Sequence, residues 1–413
     1  MTLMLVLMLQ VTAGVSFDQL AQTAIVQNKS LQAAREQLRQ AEGRLKQAQL
    51  RPNPTLDVSR TTDVLFANEG ETGFGITLSQ PFELGGKRGK RMQVAEAEVE
   101  LAKAAIADTE RQLMGQLRTA YLRAAETSAR LNFFERSRGL NQQMAQVMAV
   151  RLSSGDASRL ESHLLQAENN RVEAQRLSAE GELVQEMLEL RKLAGMSPTE
   201  SISLQSLPTT VVALRETETD LIETAFRNRP DLRAARVREA LANAGVLLAR
   251  AQVAPTIVGF VRYGRDPNIS SFGTATQPRT FERDSVLEFG VSIPLPLWNR
   301  EQGNIREAAS RVSQATAERE ALENTIRMEV TAASRRYESA TRSLDLIRSG
   351  VVSETEAGFS ITQLAYRLGD AKLTDVIFQQ RSLIEAQMAE LVAQAELGIA
   401  QANLELALGT RNP

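Results

Sequence analysis

The distribution of proline constrains the fold of this chain more than any other feature of its sequence. Residues 82–197 contain no proline, and neither do residues 297–412, so two tracts of 116 residues each lack it. A proline inside a helix removes a backbone hydrogen bond and costs about 3 kcal/mol. Each tract has one interruption rich in turn residues, RLSSGDAS at 151–158 and YRLGDAK at 366–372. The pattern predicts two long helical hairpins.

The chain is also a tandem duplication. NKSLQAAR at 28–35 parallels NRPDLRAAR at 228–236. The two hairpins have the same length between the glycine at the tip and the glycine that closes the hairpin. We predict a first repeat at 17–215 and a second at 216–413.

Each repeat begins with a predicted helix, at 30–51 and 231–252. In the hairpins, predicted at about 88–195 and about 300–409, apolar residues recur every seven positions, which is typical of coiled coils. The clearest series are Val99, Ile106, Leu113 and Ala120, and the pairs Ile326/Val330, Ala333/Tyr337, Ala340/Leu344 and Ile347/Val351. An unbroken helix over 90–152 would be about 95 Å long at 1.5 Å per residue. Such hairpins must pack side by side in a bundle or ring.

Alternation with a period of two predicts two strands per repeat, at about 55–82 and about 256–296, with polar loops at 67–71 and 265–284. The apolar members of the alternation are Phe74, Ile76 and Leu78 in one repeat and Leu287, Phe289, Val291 and Ile293 in the other. Each strand then has an apolar and a polar face. An ordinary half-buried hairpin is the commoner explanation for any single pair. If the strands span a membrane, several chains must share one barrel, because small barrels need about eight strands.

The first 14 residues, MTLMLVLMLQVTAG, form an apolar run that is too short to span a bilayer. We predict an export signal at 1–16, with a buried helix as the alternative.

Composition excludes several classes of function. The chain has no cysteine, one histidine (His163) and a net charge of -2. These values argue against disulfides, thiolate metal sites, nucleic-acid binding and enzyme catalysis. We predict no metal site and no cofactor. His163 is expected on a helix surface, and Met144 with Met148 is expected in a core rather than in a soft-metal site.

The stretch LGGKRGKR at 84–91 lies where a predicted strand ends and a helix begins. It fails as a phosphate-binding loop because the glycine spacing is wrong and no serine or threonine follows the lysine. We predict a hinge, with Gly89 and Gly303 at comparable places in the two repeats. Lys87, Arg88 and Trp298 are predicted to lie at the membrane interface.

LRPNPTL, LSQPFELGGKRGKR, the two GDA tips and the duplicated plan resemble the TolC-like outer membrane factor family, especially its CzcC-type heavy-metal efflux branch. The resemblance covers nearly all of residues 17–410. It implies a mainly α fold with a small membrane β part, in which four strands and long helical hairpins per chain build a trimeric β-barrel and α-barrel. The homotrimer would lie in the outer membrane of a Gram-negative bacterium, with its helices in the periplasm. Its partners would be a periplasmic adaptor (a membrane fusion protein) and an inner-membrane pump of the RND type.

The function implied is that of a passive conduit that exports substrates, heavy-metal cations above all, delivered by the pump. The alternative is a periplasmic coiled-coil scaffold or adaptor without a pore of its own.

The resemblance also implies roles for individual residues. Asp375 and Glu161, each six residues beyond a tip glycine, would line the pore constriction. Tyr366 would contact Glu161 and lock the channel shut. The tips themselves would contact the adaptor through Gly155, Asp156, Gly369 and Asp370. Ala371 stands where the family carries an arginine, which puts a salt-bridged lock in doubt.

Overall fold

The fold is described from a computed structural model of the chain. It covers residues 16–62, 72–155, 158–202, 204, 216–269, 281–368 and 370–410. The predicted export signal therefore lies almost entirely outside the described residues.

The first half of the chain contains four helices and two strands among its described residues. They are α1 (Phe17–Gln27), α2 (Lys29–Ala48), β1 (Thr55–Thr62), β2 (Thr72–Glu83), α3 (Lys87–Ser153) and α4 (Arg159–Ala194). The predicted unbroken helix is confirmed, since α3 runs for 67 residues.

The second half repeats this order with one change. Its elements are α5 (Glu218–Asn228), α6 (Pro230–Gln252), β3 (Thr256–Ile269), β4 (Phe281–Ser292), α7 (Gln302–Leu346), α8 (Ser353–Leu368) and α9 (Leu373–Leu408). A π-helical segment, Ile347–Val352, separates α7 from α8. The mainly helical fold with a small sheet is confirmed, while the exact boundaries of the two repeats stay a prediction.

The short helix at the start of each repeat, α1 in the first and α5 in the second, was not predicted. Ser16 is the N-cap of helix α1. Its side chain accepts from the Gln19 N–H, and the Gln19 side chain accepts from the Ser16 N–H. Thr217 and Asp220 form the same reciprocal pair at the start of α5. This spacing of Ser or Thr and a polar residue three positions later is a recognisable start signal, which could have revealed both helices from the sequence.

The four strands form one antiparallel sheet in the order β1-β2-β3-β4. The predicted loop at 265–284 is too long at both ends. β3 continues to Ile269 and β4 begins at Phe281, because the pairing of the two strands stays regular as far as Ile269 opposite Phe281. The predicted loop at 67–71 lies outside the described residues.

The chain divides into two compact units, and each draws on both repeats. One unit comprises Met1–Arg35, Ala104–Arg233 and Ala321–Pro413, and the other comprises Glu36–Lys103 and Ala234–Glu320. The second unit holds the sheet. None of the helices described here is long and apolar enough to cross a membrane.

The coiled-coil seams have most of the predicted residues in their interior. Leu113 and Ala120 of α3 are buried, as are Ile326, Val330 and Tyr337 of α7. For these residues the seven-residue spacing identified the packed faces correctly.

The prediction was wrong for Val351. Its side chain is 45 % exposed, and its neighbour Val352 is buried instead. The π-helical segment at Ile347–Val352 carries an extra residue in its turn, which rotates the packed face away from Val351.

Arg229 joins three helices of the first unit. Its guanidinium is almost fully buried and lies 2.6 Å from the Asp231 carboxylate and 2.5 Å from the Glu329 carboxylate of α7. It also donates to the Ala407 carbonyl of α9. Burial alone would raise the pKa of Asp231, but the hydrogen bonds and charge of Arg229, helped by Arg111, lower that pKa below its ordinary value.

Candidate functional site: a two-faced sheet and the tips of the hairpins

The middle of one face of the sheet is apolar and exposed. Leu56, Leu78, Val261 and Phe289 lie directly opposite one another across all four strands, and each is exposed. Phe289 keeps 71 % of its surface accessible. A second row on the same face consists of Val58, Ile76, Tyr263 and Leu287. In water, so large a contiguous apolar surface marks an interaction site.

The opposite face carries polar and charged residues. Asp57, Thr77, Arg262 and Glu288 form a cross-strand row, in which Arg262 lies 3.7 Å from Glu288. The alternation predicted from the sequence is confirmed. The sheet can therefore separate a medium of low polarity from an aqueous one.

The chain turns from β2 into α3 at Gly85 and Gly86. Both have left-handed backbones, with φ of 70° and 69°, which glycine adopts without strain. A side chain at Gly85 would come within 2.5 Å of Ala254. The change from strand to helix therefore falls within the predicted stretch 84–91, but Gly89, which the sequence suggested for it, lies inside α3.

The second junction lacks the glycine pair. There Glu301 adopts φ of 60° just before α7, and Gly303 lies inside that helix.

Both predicted interfacial cations bind the protein itself. Lys87 donates to the Thr256 hydroxyl at 3.1 Å, and Arg88 donates to the Gln49 carbonyl at 2.7 Å, just beyond the end of α2. Both interactions stabilise the junction. Trp298 is 85 % exposed. A role for these residues at a lipid interface stays a prediction.

At the tip of the first hairpin, Glu161 caps α4. Its carboxylate accepts from the Ser158 N–H at 2.8 Å, and its own N–H donates to the Ser158 hydroxyl at 3.1 Å. The chain reaches this cap through Gly155, whose φ is 84°. The local sequence S-x-x-E explains the geometry.

At the tip of the second hairpin, Asp375 has the equivalent position. It accepts from the Lys372 N–H at 3.0 Å, so it too lies at the third residue of its helix. Asp375 and Asp370 are exposed. Both predicted constriction carboxylates thus cap helix N-termini, where they also interact favourably with the helix dipole.

Tyr366 joins the two hairpins through a residue that the sequence did not indicate. Its hydroxyl accepts from Arg151 of α3 at 2.6 Å, and the guanidinium lies 5.6 Å from the centre of the Tyr366 ring. The hydrogen bonds described for Glu161 within one chain are the two that it makes with Ser158. They do not include the predicted contact with Tyr366. The Tyr366–Glu161 lock stays a prediction.

The side chains around the tips pack as predicted. Met148 is buried in a cluster with Leu165, Leu373 and Ile377, while Met144 and Tyr366 pack against it. His163 lies exposed on α4. No group of three or more potential metal ligands occurs among the described residues. Asp156 and Gly369, predicted as adaptor contacts, lie outside the described residues.

Farther from the tips, the hairpins share a polar layer. Gln380 of α9 donates to Asn141 of α3 at 3.0 Å, and Arg381 of α9 donates to Glu168 of α4 at 2.7 Å. Glu168 and Asn141 are almost fully buried. The coiled-coil pattern gave no sign of this layer because it predicts apolar interiors.

The family model for outer membrane efflux proteins matches residues 20–196 and 221–410. The chain belongs to the outer membrane efflux protein family. The family resemblance predicted from the sequence is confirmed, and the family consists of channels rather than enzymes.

Curated relatives of this efflux protein differ in the cargo that their names state. The cobalt-zinc-cadmium resistance protein CzcC of Cupriavidus metallidurans is 24 % identical over 92 % of this chain and 87 % of its own length. The pyoverdine export outer membrane protein OpmQ of Pseudomonas putida is 27 % identical over 96 % of this chain and 85 % of its own length.

The crystal structure of CusC, described as forming a transmembrane channel, superposes on this efflux protein with a TM-score of 0.80. The two are 18 % identical, and the match covers 96 % of this chain and 92 % of CusC. At that identity the likeness shows a shared fold.

Proposed function

We propose that three copies of this chain form a passive outer membrane conduit, with the sheet in the membrane and the helical hairpins in the periplasm of a Gram-negative bacterium. The conduit is one component of an efflux system that also contains a periplasmic adaptor and an inner-membrane pump, which supplies the free energy.

The two-faced sheet is the observation that carries this proposal. Its exposed apolar rows match a lipid environment, and the row with Asp57, Arg262 and Glu288 matches a water-filled lumen. Barrel strands of outer membrane channels alternate in this way between lipid and lumen.

One chain cannot complete such a channel. Among the described strands, β1 pairs only with β2 and β4 only with β3, so both edges of the sheet have unpaired backbone groups. Unpaired backbone groups cost several kcal/mol each in lipid. Three copies supply twelve strands, more than the roughly eight that a barrel needs, and bring each β1 edge to a β4 edge of a neighbour.

The hairpin tips are the proposed gate and the proposed surface for the adaptor. The exposed carboxylates of Asp375 and Asp370 lie at one tip and Glu161 lies at the other. Repeated by symmetry, they favour cations and repel anions at the constriction. The Arg151–Tyr366 contact holds the two hairpins of one chain together near the gate.

Heavy-metal cations are the proposed cargo. The support is the similarity to CzcC over most of both chains together with the acidic tips. The similarity to OpmQ makes an organic siderophore the competing cargo. The alternative of a periplasmic scaffold without a pore is disfavoured, because it does not account for the exposed apolar face of the sheet.

Reconstitution tests the proposal. The purified protein should require detergent, migrate as an SDS-resistant trimer and give discrete, cation-preferring conductance steps in planar bilayers. A detergent-independent monomer without conductance would refute it.

Deletion of the gene tests the cargo. It should lower tolerance to zinc, cobalt, cadmium or copper, whereas sensitivity to organic toxicants alone would overturn the metal assignment.

Tyr366→Phe tests the gate. The change removes the hydroxyl that Arg151 binds but keeps the ring, so the closed state loses about 1 kcal/mol per hydrogen bond. Leak conductance in planar bilayers should rise.

Arg151→Gln should raise the leak at least as much, because it also removes the contact of the guanidinium with the Tyr366 ring. Adding Tyr366→Phe to Arg151→Gln should change little, because the hydrogen bond is already lost. Tyr263→Phe, which removes a hydroxyl on the apolar face of the sheet, is the matched control. Unchanged closure in both tip variants would contradict the gate role of Tyr366.

A further inference from the structure

Glu168 is a buried carboxylate with two competing arginine partners. Its side chain is 1 % exposed and lies on α4. Arg171, three residues later on the same helix, lies 2.7 Å from one carboxylate oxygen. Arg381 of α9 lies 2.7 Å from the other oxygen. A buried charge needs such partners, because water cannot solvate it.

The two arginines differ in what happens when the hairpins separate. Arg171 belongs to the same helix as Glu168 and remains beside it in any packing of α4. Arg381 belongs to the other hairpin and leaves with α9. Its side chain is 45 % exposed, so it can return to water at little cost.

The neighbouring contact is also incomplete in the packing observed. Gln380 satisfies the Asn141 carbonyl oxygen, but the buried Asn141 amide nitrogen has no partner among the described residues. Gln380 and Arg381 therefore place two polar contacts side by side between α9 and the first hairpin.

We propose that Glu168 is a positioning residue for gating, which exchanges between shared binding by Arg381 and Arg171 in the closed channel and binding by Arg171 alone in the open channel. Arg381 favours the closed packing. Arg171 favours the open packing, since it keeps the carboxylate paired after α9 moves away. The inference rests on the proposed channel function, and it assigns gating control to residues well away from the tip turns.

Opposite effects of the two arginines test this assignment. In planar bilayers with potassium chloride, Arg381→Gln should raise the open fraction about fivefold or more, the lower end of usual coupling between two states. Arg171→Gln should lower the open fraction, because opening then leaves Glu168 unpaired. A merely structural role would give changes in the same direction.

Arg176→Gln is the matched control. Arg176 also lies on α4, but it binds Glu173 and Glu180 of the same helix. It should leave the open fraction unchanged. In a Glu168→Gln background, Arg171→Gln should lose its effect, because its partner carboxylate is gone. The proposal would be overturned if Arg381→Gln and Arg171→Gln changed the open fraction in the same direction. It would also be overturned if Arg176→Gln changed the open fraction as much as they do.

A distance measurement separates this inference from the channel function. The chain has no cysteine, so spin labels can be placed uniquely after His163→Cys on α4 and Arg367→Cys on α8. Labelled chains are diluted with unlabelled ones. Arg381→Gln should shift the distances to longer values and Arg171→Gln to shorter ones. If the wild type never conducts, the channel function fails, yet these distances still decide the role of Glu168; unshifted distances refute it.

Discussion

Phe289 in the sheet and Glu168 in the hairpins reverse the usual arrangement of a water-soluble protein. The aromatic side chain is 71 % exposed, whereas the carboxylate is 1 % exposed. Around Phe289 the exposed neighbours are also apolar, and around Glu168 two arginines replace the water that is excluded. The two regions therefore suit different surroundings: the sheet presents apolar side chains to its solvent, whereas the hairpins enclose a charge with its own counter-charges.

Two lysine substitutions at adjacent positions test whether the apolar face of the sheet is covered by lipid. Leu287 lies on the apolar face and Val286 on the polar face, and both are exposed. Leu287→Lys should destabilise the protein folded into phospholipid vesicles by about 2–4 kcal/mol, the range for lysine near the bilayer midplane.

Val286→Lys should cost less than about 1 kcal/mol, because lumen positions tolerate charge. Denaturant unfolding from the vesicles measures both values. Equal costs for the two variants would mean that lipid does not cover the apolar face.

The two hairpin tips allow a smaller and more local test. Ser158→Ala removes the hydroxyl that accepts from Glu161, which should cost about 0.5–2 kcal/mol. Lys372→Ala should cost under about 0.5 kcal/mol, because the equivalent tip uses only the lysine backbone N–H. Amide hydrogen exchange at the first turns of α4 and α9 measures the difference. Similar loss of protection in both variants would show that the tips do not depend on this hydroxyl.

The smallest expected effect is a pH dependence of the stability of the first unit, which contains Asp231. The folded pKa of Asp231 is lowered by Arg229, so its contribution to stability is present above the unfolded pKa of about 3.9. That contribution disappears as the pH falls through the still lower folded pKa. Unfolding measured between pH 7 and pH 2 should show this loss in the wild type.

In the Asp231→Asn variant the same pH range should have less effect, since the titrating group is absent. An identical pH profile in both proteins would show that the Arg229–Asp231 pair does not contribute to acid sensitivity.

Most of the local structure followed from the sequence. The proline-free tracts predicted α3 and the paired helices beyond it, and the alternation around Phe74 and Phe289 predicted the faces of β2 and β4. These patterns depend only on residue spacing along one helix or strand. Glu161 and Asp375 were singled out by the family resemblance as constriction residues, and their role in capping α4 and α9 was not foreseen.

Contacts between distant segments could not be predicted from the sequence. Arg151 as the partner of Tyr366, and Arg381 as the partner of Glu168, join residues more than 200 positions apart. A heptad pattern shows which face of a helix is packed but not which long side chain reaches across to the next helix. The π-helical segment at Ile347–Val352 was missed as well, since seven-residue spacing continues through it.

The amino-acid sequence alone determined that this chain is a duplicated pair of helical hairpins with too few strands to close a barrel, because helix and strand periodicity and proline exclusion act within each segment. The sharing of Glu168 between the hairpins, and the use of Gly85 and Gly86 at the junction with α3, are visible only in the folded protein. Those features arise where separate segments meet, and there the geometry of packing selects partners that local spacing leaves open.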